Sequence, residues 1–218
     1  MLGNEDVTRL ILAIVENSVR SERLLKQPID VVYVTQIARC PFYSAKMLED
    51  PDVELSSLMR MSVGTAVHNH IHLSQYEEVS VLYHHDDFTI AGRIDAMIPI
   101  PEENKIIVIE KKTTTRGKVY DYYILQMQFY GTILYRKYGI MPDLYILLLP
   151  VVHSDPKVVR IEFNRNLAEL MEQVMIKRAE AFIRARSMNL PTEAVAFGCD
   201  TCKYCKYKAV CPSYRGDE

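Results

Sequence analysis

Two groups of residues in this chain have the types and spacing for chemistry. The first is Gly92-Arg93-Ile94-Asp95 followed by Ile106-Ile107-Val108-Ile109-Glu110-Lys111-Lys112. Asp95 and Glu110 lie equally far from a hairpin turn centred on Glu102 and Glu103, so they become cross-strand neighbours about 5 Å apart at Cβ. Lys112 shares the face of Glu110, whereas Lys111 points away. Two carboxylates at the end of an apolar strand suffer desolvation and mutual repulsion, which a divalent cation relieves. Hard oxygen ligands select Mg²⁺ or Mn²⁺. Such an ion activates water and neutralises charge on a transferring phosphate, and Lys112 can stabilise the same charge. The competing reading is a structural ion pair of Glu110 with Lys112 or Arg93.

The second group is Cys202-Lys203-Tyr204-Cys205 with Cys211, a C-x2-C-x5-C pattern. Cys199 competes with Cys202 through a second C-x2-C pair, and Cys40 stands far upstream in Arg39-Cys40-Pro41. Clustered thiols in an intracellular protein bind metal more often than they form disulfides. Four thiolates suit tetrahedral Zn²⁺ or an iron–sulfur cluster, and spacing leaves both open.

Around these groups the periodicity changes along the chain. Residues 4–25 carry Val7, Leu10, Ile11, Ile14 and Val15 at helical spacing. Thr35 is placed to cap a second helix that runs to Leu48 and breaks or restarts near Pro41, and residues 63–76 form a third. Residues 79–84, 88–98 and 106–110 are β-rich runs separated by turn-forming Asp86-Asp87 and Pro101-Glu102-Glu103-Asn104, an antiparallel meander. Residues 119–138 place Tyr123, Met127, Tyr130, Leu134 and Tyr138 on one helical face that ends at Gly139. Residues 144–149 read as a strand buried on both faces, and residues 158–163 as an edge strand. A long helix over residues 166–187 turns Leu167, Leu170, Met171, Val174, Ala181 and Phe182 inward. The fold class is α/β, with a mixed central sheet flanked by helices and a cysteine-bearing tail. The expected divisions are an N-terminal helical region at 1–62, a core at 63–188 and a cysteine-rich tail at 189–218.

Bulk properties exclude several classes. With 218 residues, 49% hydrophobic, and 26 Lys+Arg against 28 Asp+Glu, the chain is neither a disordered tail nor a small disulfide scaffold. A net charge of -2 offers no general attraction to nucleic acid. Locally, however, Lys111, Lys112, Arg116 and Lys118 form a basic track without an acid, and Tyr204 and Tyr207 among tail lysines can stack on bases. No secretory leader or run long enough to span a bilayer is visible, so a soluble cytoplasmic protein without membrane partners is expected.

In chain order the chemistry-bearing residues are His68 (with His70 and His72 as rivals), G-x-x-D ending at Asp95, E-x-K from Glu110 to Lys112, and Q-x-x-x-Y from Gln126 to Tyr130. That series resembles the RecB-like branch of the PD-(D/E)XK nucleases. The distant Cys-Pro and terminal C-x2-C-x5-C that flank it resemble the iron-stapled members, namely AddB-type nuclease domains and the stand-alone CRISPR-associated exonucleases of the Cas-four family. The likeness runs from about Val34 to Cys211.

The resemblance implies a restriction-endonuclease-like core whose N- and C-terminal segments are joined by an iron–sulfur cluster. His68, Asp95, Glu110 and the Lys111 carbonyl would hold Mg²⁺ or Mn²⁺, Lys112 would be the catalytic lysine, and Gln126 and Tyr130 would position DNA or the site. Cys40, Cys202, Cys205 and Cys211 would hold the cluster, [4Fe-4S] ahead of [2Fe-2S], leaving Cys199 without a slot. The implied activity is 5′→3′ exonuclease action on single-stranded DNA in CRISPR adaptation, with CRISPR integrase proteins as partners; endonuclease action and homo-oligomeric assembly, as in ring-forming relatives, are left open. A non-catalytic iron–sulfur DNA-binding or scaffold subunit, a zinc-stabilised module, and a viral or DNA-repair nuclease present the same residues.

Overall fold

The computed structural model describes residues 27–49, 55–151, 155–188 and 202–211. The expected helix at 4–25 and Cys199 lie outside them. In chain order the elements are β1 (Val31–Tyr33), α1 (Val34–Ala38), α2 (Pro41–Glu49), α3 (Leu55–His70), β2 (Tyr76–His85), β3 (Phe88–Ile100), β4 (Lys105–Thr114), α4 (Asp121–Tyr138), β5 (Asp143–Pro150), β6 (Lys157–Ile161) and α5 (Arg165–Met188). Short 3-10 turns occupy Pro101–Glu103, Cys202–Tyr204 and Lys208–Val210. The chain divides into two compact units: Met1–Pro28 with Pro51–Ile71, and Ile29–Asp50 with His72–Glu218. Helix α3 is the described element of the first unit, and the mixed sheet and its flanking helices form the second.

The meander is present, closed by Asp86-Asp87 and by the Pro101–Glu103 turn, whose following residue Asn104 takes the left-handed conformation (φ 50°). Asparagine tolerates that region better than most residues. The β3–β4 ladder pairs Ala96 with Ile109 and Ile100 with Lys105, so neither Pro99 nor Pro101 shifts the expected register. Parallel pairing joins β4 to β5, and antiparallel pairing then joins β5 to the edge strand β6.

The fold's decisive irregularity lies on one edge of β3. Its other edge is paired along nearly its whole length by β2. On the irregular edge, β1 pairs parallel with Thr89, Ile90 and Ala91, and β4 takes over only at Ala96. Residues 92–95, the G-R-I-D segment, therefore lie where β3 changes neighbours. Backbone groups in such a gap need other partners, because a buried unpaired N–H or C=O costs about as much as a lost hydrogen bond.

Helix α4 packs on β5, α1 and α5, burying Met127, Phe129, Tyr130, Ile133 and Leu134. Gly139 ends it in the left-handed conformation (φ 67°) and donates its N–H to the Tyr135 carbonyl. Helix α5 buries Met171, Met175, Ala179 and Phe182. Its Arg178 also donates through Nε to the Ile37 carbonyl (2.5 Å) and through Nη2 to the Arg39 carbonyl (2.7 Å), tying the end of α1 to the core.

Several expectations are corrected. Thr35 lies inside α1, and Tyr33 occupies the position before that helix. The third helix starts at Leu55 and ends at His70, because Tyr76 begins β2 instead. Leu170 is 53% exposed and Tyr138 is 51% exposed, since an apolar stripe wider than the contact leaves its margin in solvent. Strand β5 has no exposed residue, yet alternate positions are only half-buried.

Candidate active site

The strand exchange fixes the position of the acids. Asp95 is the last residue of β3 before the β4 ladder, and Glu110 is the next residue of β4 after it. The Asp95 carboxylate accepts a hydrogen bond from the Lys111 backbone N–H at 2.7 Å, providing a partner where the ladder has stopped. Across the same gap, the Tyr130 hydroxyl donates to the Arg93 carbonyl at 2.9 Å. The side chains of the site thus satisfy backbone groups that the strand exchange would otherwise strand.

Gly92 makes this arrangement sterically allowed. A Cβ at that position would stand 2.6 Å from Tyr130 Cε1 and 3.1 Å from a Val34 methyl. The aromatic ring lies against bare backbone, so the glycine of G-x-x-D is a packing requirement of Tyr130.

Glu110 is 4% exposed and Asp95 8% exposed. Burial pushes both carboxyls above the usual carboxylate range, and the Asp95 charge pushes Glu110 the same way. Lys112 opposes these effects on both. Its ammonium donates to Glu110 Oε1 at 2.6 Å and to Gln126 Oε1 at 3.0 Å. Gln126 closes the ring by donating from Nε2 to the same Glu110 oxygen at 2.8 Å, with Tyr130 Oη 3.2 Å away. One turn of α4 thereby locks the acid and lysine of β4. Arg93 pairs with Glu78 at 2.5 Å, so it is not the Glu110 partner considered above.

Glu110 Oε2 is buried and has no hydrogen-bond partner among the described residues. A buried, unpartnered carboxylate oxygen beside a second buried acid is the donor set a hard divalent cation needs, so these residues fit Mg²⁺ or Mn²⁺. Asp95, Glu110, Lys111, Lys112, Gln126 and Tyr130 all lie in the larger unit. His68 lies half-buried on α3 of the smaller one.

Lys111 corrects the basic track. Its side chain is 1% exposed, with its ammonium 3.9 Å from Glu77, so it offers no surface charge. The Leu73 N–H and His72 hold the Glu77 carboxyl below its ordinary range. Sequence reasoning missed Glu77. The turn at Asp86-Asp87 places it opposite Ala96, which was a readable signal. Arg116 and Lys118 are exposed, and residues 114–117 line an open cleft with Leu148, Pro150, Asp155 and Lys157.

In the tail, Tyr204 is exposed, but Tyr207 is buried edge-on against Tyr43 of α2 at 5.7 Å and cannot stack on a base. That contact joins the segment after Cys40 to the segment between Cys205 and Cys211. None of Cys40, Cys202, Cys205 and Cys211 is in a disulfide. These soft donors suit a metal cluster chemically, although no three His, Cys, Asp or Glu side chains are grouped to hold a metal among the described residues.

Against known proteins, residues 9–212 match the family model of the PD-(D/E)XK nuclease superfamily. The chain belongs to that superfamily. Its mixed sheet flanked by helices is this nuclease fold. The crystal structure of SSO0001 shares the fold at 20% identity and a TM-score of 0.61, covering 94% of this chain and 98% of the other. A Eubacterium rectale protein named as a candidate exonuclease aligns at 10% identity and a TM-score of 0.41, over 93% of this chain and 80% of its own, too loosely to carry weight. No curated protein matches. Within the nuclease, no helix among the described residues is long and apolar enough to cross a membrane.

Proposed function

We propose that this protein is a metal-dependent deoxyribonuclease acting as a 5′→3′ exonuclease on single-stranded DNA during CRISPR adaptation. The observation that carries the hydrolytic reading is the buried Asp95–Glu110 pair, with its unpartnered Oε2 beside the Lys112 ammonium. Asp95 and Glu110 would hold Mg²⁺ or Mn²⁺, with the Lys111 carbonyl and His68 as the further ligands the motif order suggests. When bound, the ion lowers the pKa of a water and neutralises phosphate charge. Water oxygen bonds to phosphorus, the bridging P–O bond breaks, and the departing oxygen takes up a proton. Lys112, oriented by Glu110 and Gln126, presents positive charge to the phosphoryl oxygens as they gain negative charge. Tyr130 positions Gln126, and Gln126 positions both catalytic side chains.

The polarity, the single-stranded substrate and partnership with CRISPR integrase proteins rest on the resemblance of the motif series and its flanking cysteines. So does an iron–sulfur cluster, [4Fe-4S] ahead of [2Fe-2S], on Cys40, Cys202, Cys205 and Cys211. The Tyr43–Tyr207 contact supports it by bringing the two cysteine-bearing segments together.

The test is cleavage of end-labelled single-stranded DNA by purified wild type and Glu110→Ala with Mg²⁺ or Mn²⁺. Loss of at least about a hundredfold in rate, with the circular dichroism spectrum kept, is expected. Full activity in the variant overturns the assignment. Iron and sulfide analysis with visible absorbance tests the cluster, and stoichiometric zinc without iron would replace it with a zinc staple.

A further inference from the structure

The start of α4 carries an aromatic group that the hydrolytic machinery does not use. Tyr120 and Tyr122 stack with ring centroids 5.6 Å apart and planes 17° from parallel. Tyr123 meets them edge-on, at 5.5 Å from Tyr120 and 4.4 Å from Tyr122. Each ring has a cation over it: Arg39 lies 4.6 Å above Tyr122, Lys118 lies 5.2 Å from Tyr120, and Lys112 lies 5.0 Å from Tyr123. An unbroken aromatic path therefore runs from the lysine of the active site to two exposed cations. Asp121, exposed in the same turn, is the acid nearest in sequence.

Packing alone accounts for Tyr123, whose phenol burial and contact with Tyr122 push well above its ordinary pKa. It does not account for Tyr120 and Tyr122, which stay only half-buried, or for the cations placed over their faces. Alternating π faces and positive charges match one chemistry: flat bases joined by phosphates, with their faces unstacked. A duplex buries those faces between its own base pairs and offers nothing to such a platform.

We propose that Tyr120 and Tyr122 stack unpaired nucleobases next to the scissile phosphodiester, the bases displacing Arg39 and Lys118 from the ring faces onto the neighbouring phosphates. This rests on the nuclease reading above and locates where it holds its strand. Arg39 adjoins Cys40, and Arg178 grips its carbonyl, so the segment bearing the first cysteine also carries a DNA contact.

The probe is a fluorescent decathymidylate and a set of the same oligonucleotide with one abasic residue at each position, titrated by anisotropy without added Mg²⁺ or Mn²⁺. Wild type is expected to lose roughly 5- to 150-fold in affinity when the abasic residue occupies one or two adjacent positions. Tyr122→Leu should lose a similar factor on the intact oligonucleotide and become indifferent to the abasic position, whereas Tyr122→Phe should behave as wild type. Arg39→Gln should lower the salt slope of binding by about 0.7. An abasic scan of wild type that is flat at every position overturns the proposal, even if Tyr122→Leu does not fold. So does a Tyr122→Leu variant that remains as position-sensitive as wild type. Cleavage assayed on the same wild-type sample separates the two readings: cleavage with a flat scan defeats the platform alone, whereas no cleavage of any DNA defeats the nuclease reading.

Discussion

The two oxygens of Glu110 meet different surroundings. Oε1 receives Lys112 and Gln126, and Oε2 receives no donor among the described residues. Such asymmetry suits a carboxylate that is oriented from one side and binds from the other. Gln126 is then the residue whose loss should separate orientation from binding. Gln126→Leu keeps the volume and the Glu110–Lys112 ion pair but removes the bridge. It is expected to lower kcat by about 10- to 100-fold with little change in KM, and to cost about 1–3 kcal/mol for the polar groups left unmet. Single-turnover kinetics and thermal melts check both figures. A change confined to KM would instead make Gln126 a substrate contact. The acid–lysine–glutamine series was legible in the sequence because β periodicity put Glu110 and Lys112 on one face. The pairing of Lys111 with Glu77 was legible only in part: the Asp86-Asp87 turn puts Glu77 opposite Ala96, but that Lys111 reaches it from the strand beyond β3 depends on three strands coming together.

At the scale of elements, the site exists because β3 changes neighbours. Where β1 ends at Tyr33 and β4 has not yet begun to pair, the sheet opens a gap that Asp95 and Tyr130 fill with hydrogen bonds. The gap admits the Tyr130 ring only over Gly92. Gly92→Ala should therefore displace the ring, cost about 1–3 kcal/mol through overpacking, and reduce cleavage by disturbing Gln126. Gly139→Ala should cost about 1 kcal/mol by losing the left-handed cap of α4, and should leave cleavage unchanged because the cap lies at the opposite end of that helix from Gln126. Measuring stability and kcat for both variants distinguishes a general loss of stability from a specific loss of the site. If the two variants lose equal activity per unit of stability, the packing argument for Gly92 is wrong. The hairpin register was readable from the turn residues alone. The neighbour exchange was not, since β1 is a three-residue parallel strand with no local signature.

At the scale of the molecule, the burial that holds two carboxyls above their ordinary pKa range costs the fold stability at neutral pH. Binding a divalent ion to the native state alone should recover it. With Mn²⁺ at about a hundredfold over its dissociation constant, the wild-type melting temperature should rise by about 5–10 °C. Glu110→Gln should show little of this rise, and an equal shift in both proteins would place the ion elsewhere. The net charge of -2 also takes on a different meaning in three dimensions. Lys111 is buried and Lys112 is paired with Glu110, so the exposed positive charge near the site comes from Arg39, Arg116 and Lys118.

By itself the sequence determined strands β2 to β6, helices α4 and α5, the hairpin register, and the series of acid, lysine, glutamine and tyrosine. Each of these follows from local turn chemistry and from the periods of side-chain direction, which act within a few residues. The tertiary structure alone decided that β3 changes partners at Gly92, that Lys111 turns inward while Tyr120 and Tyr122 stay half-exposed, and that Arg39 lies over Tyr122. Those outcomes depend on which segments, far apart in the chain, compete for the same edge or face. No local pattern records the result of that competition.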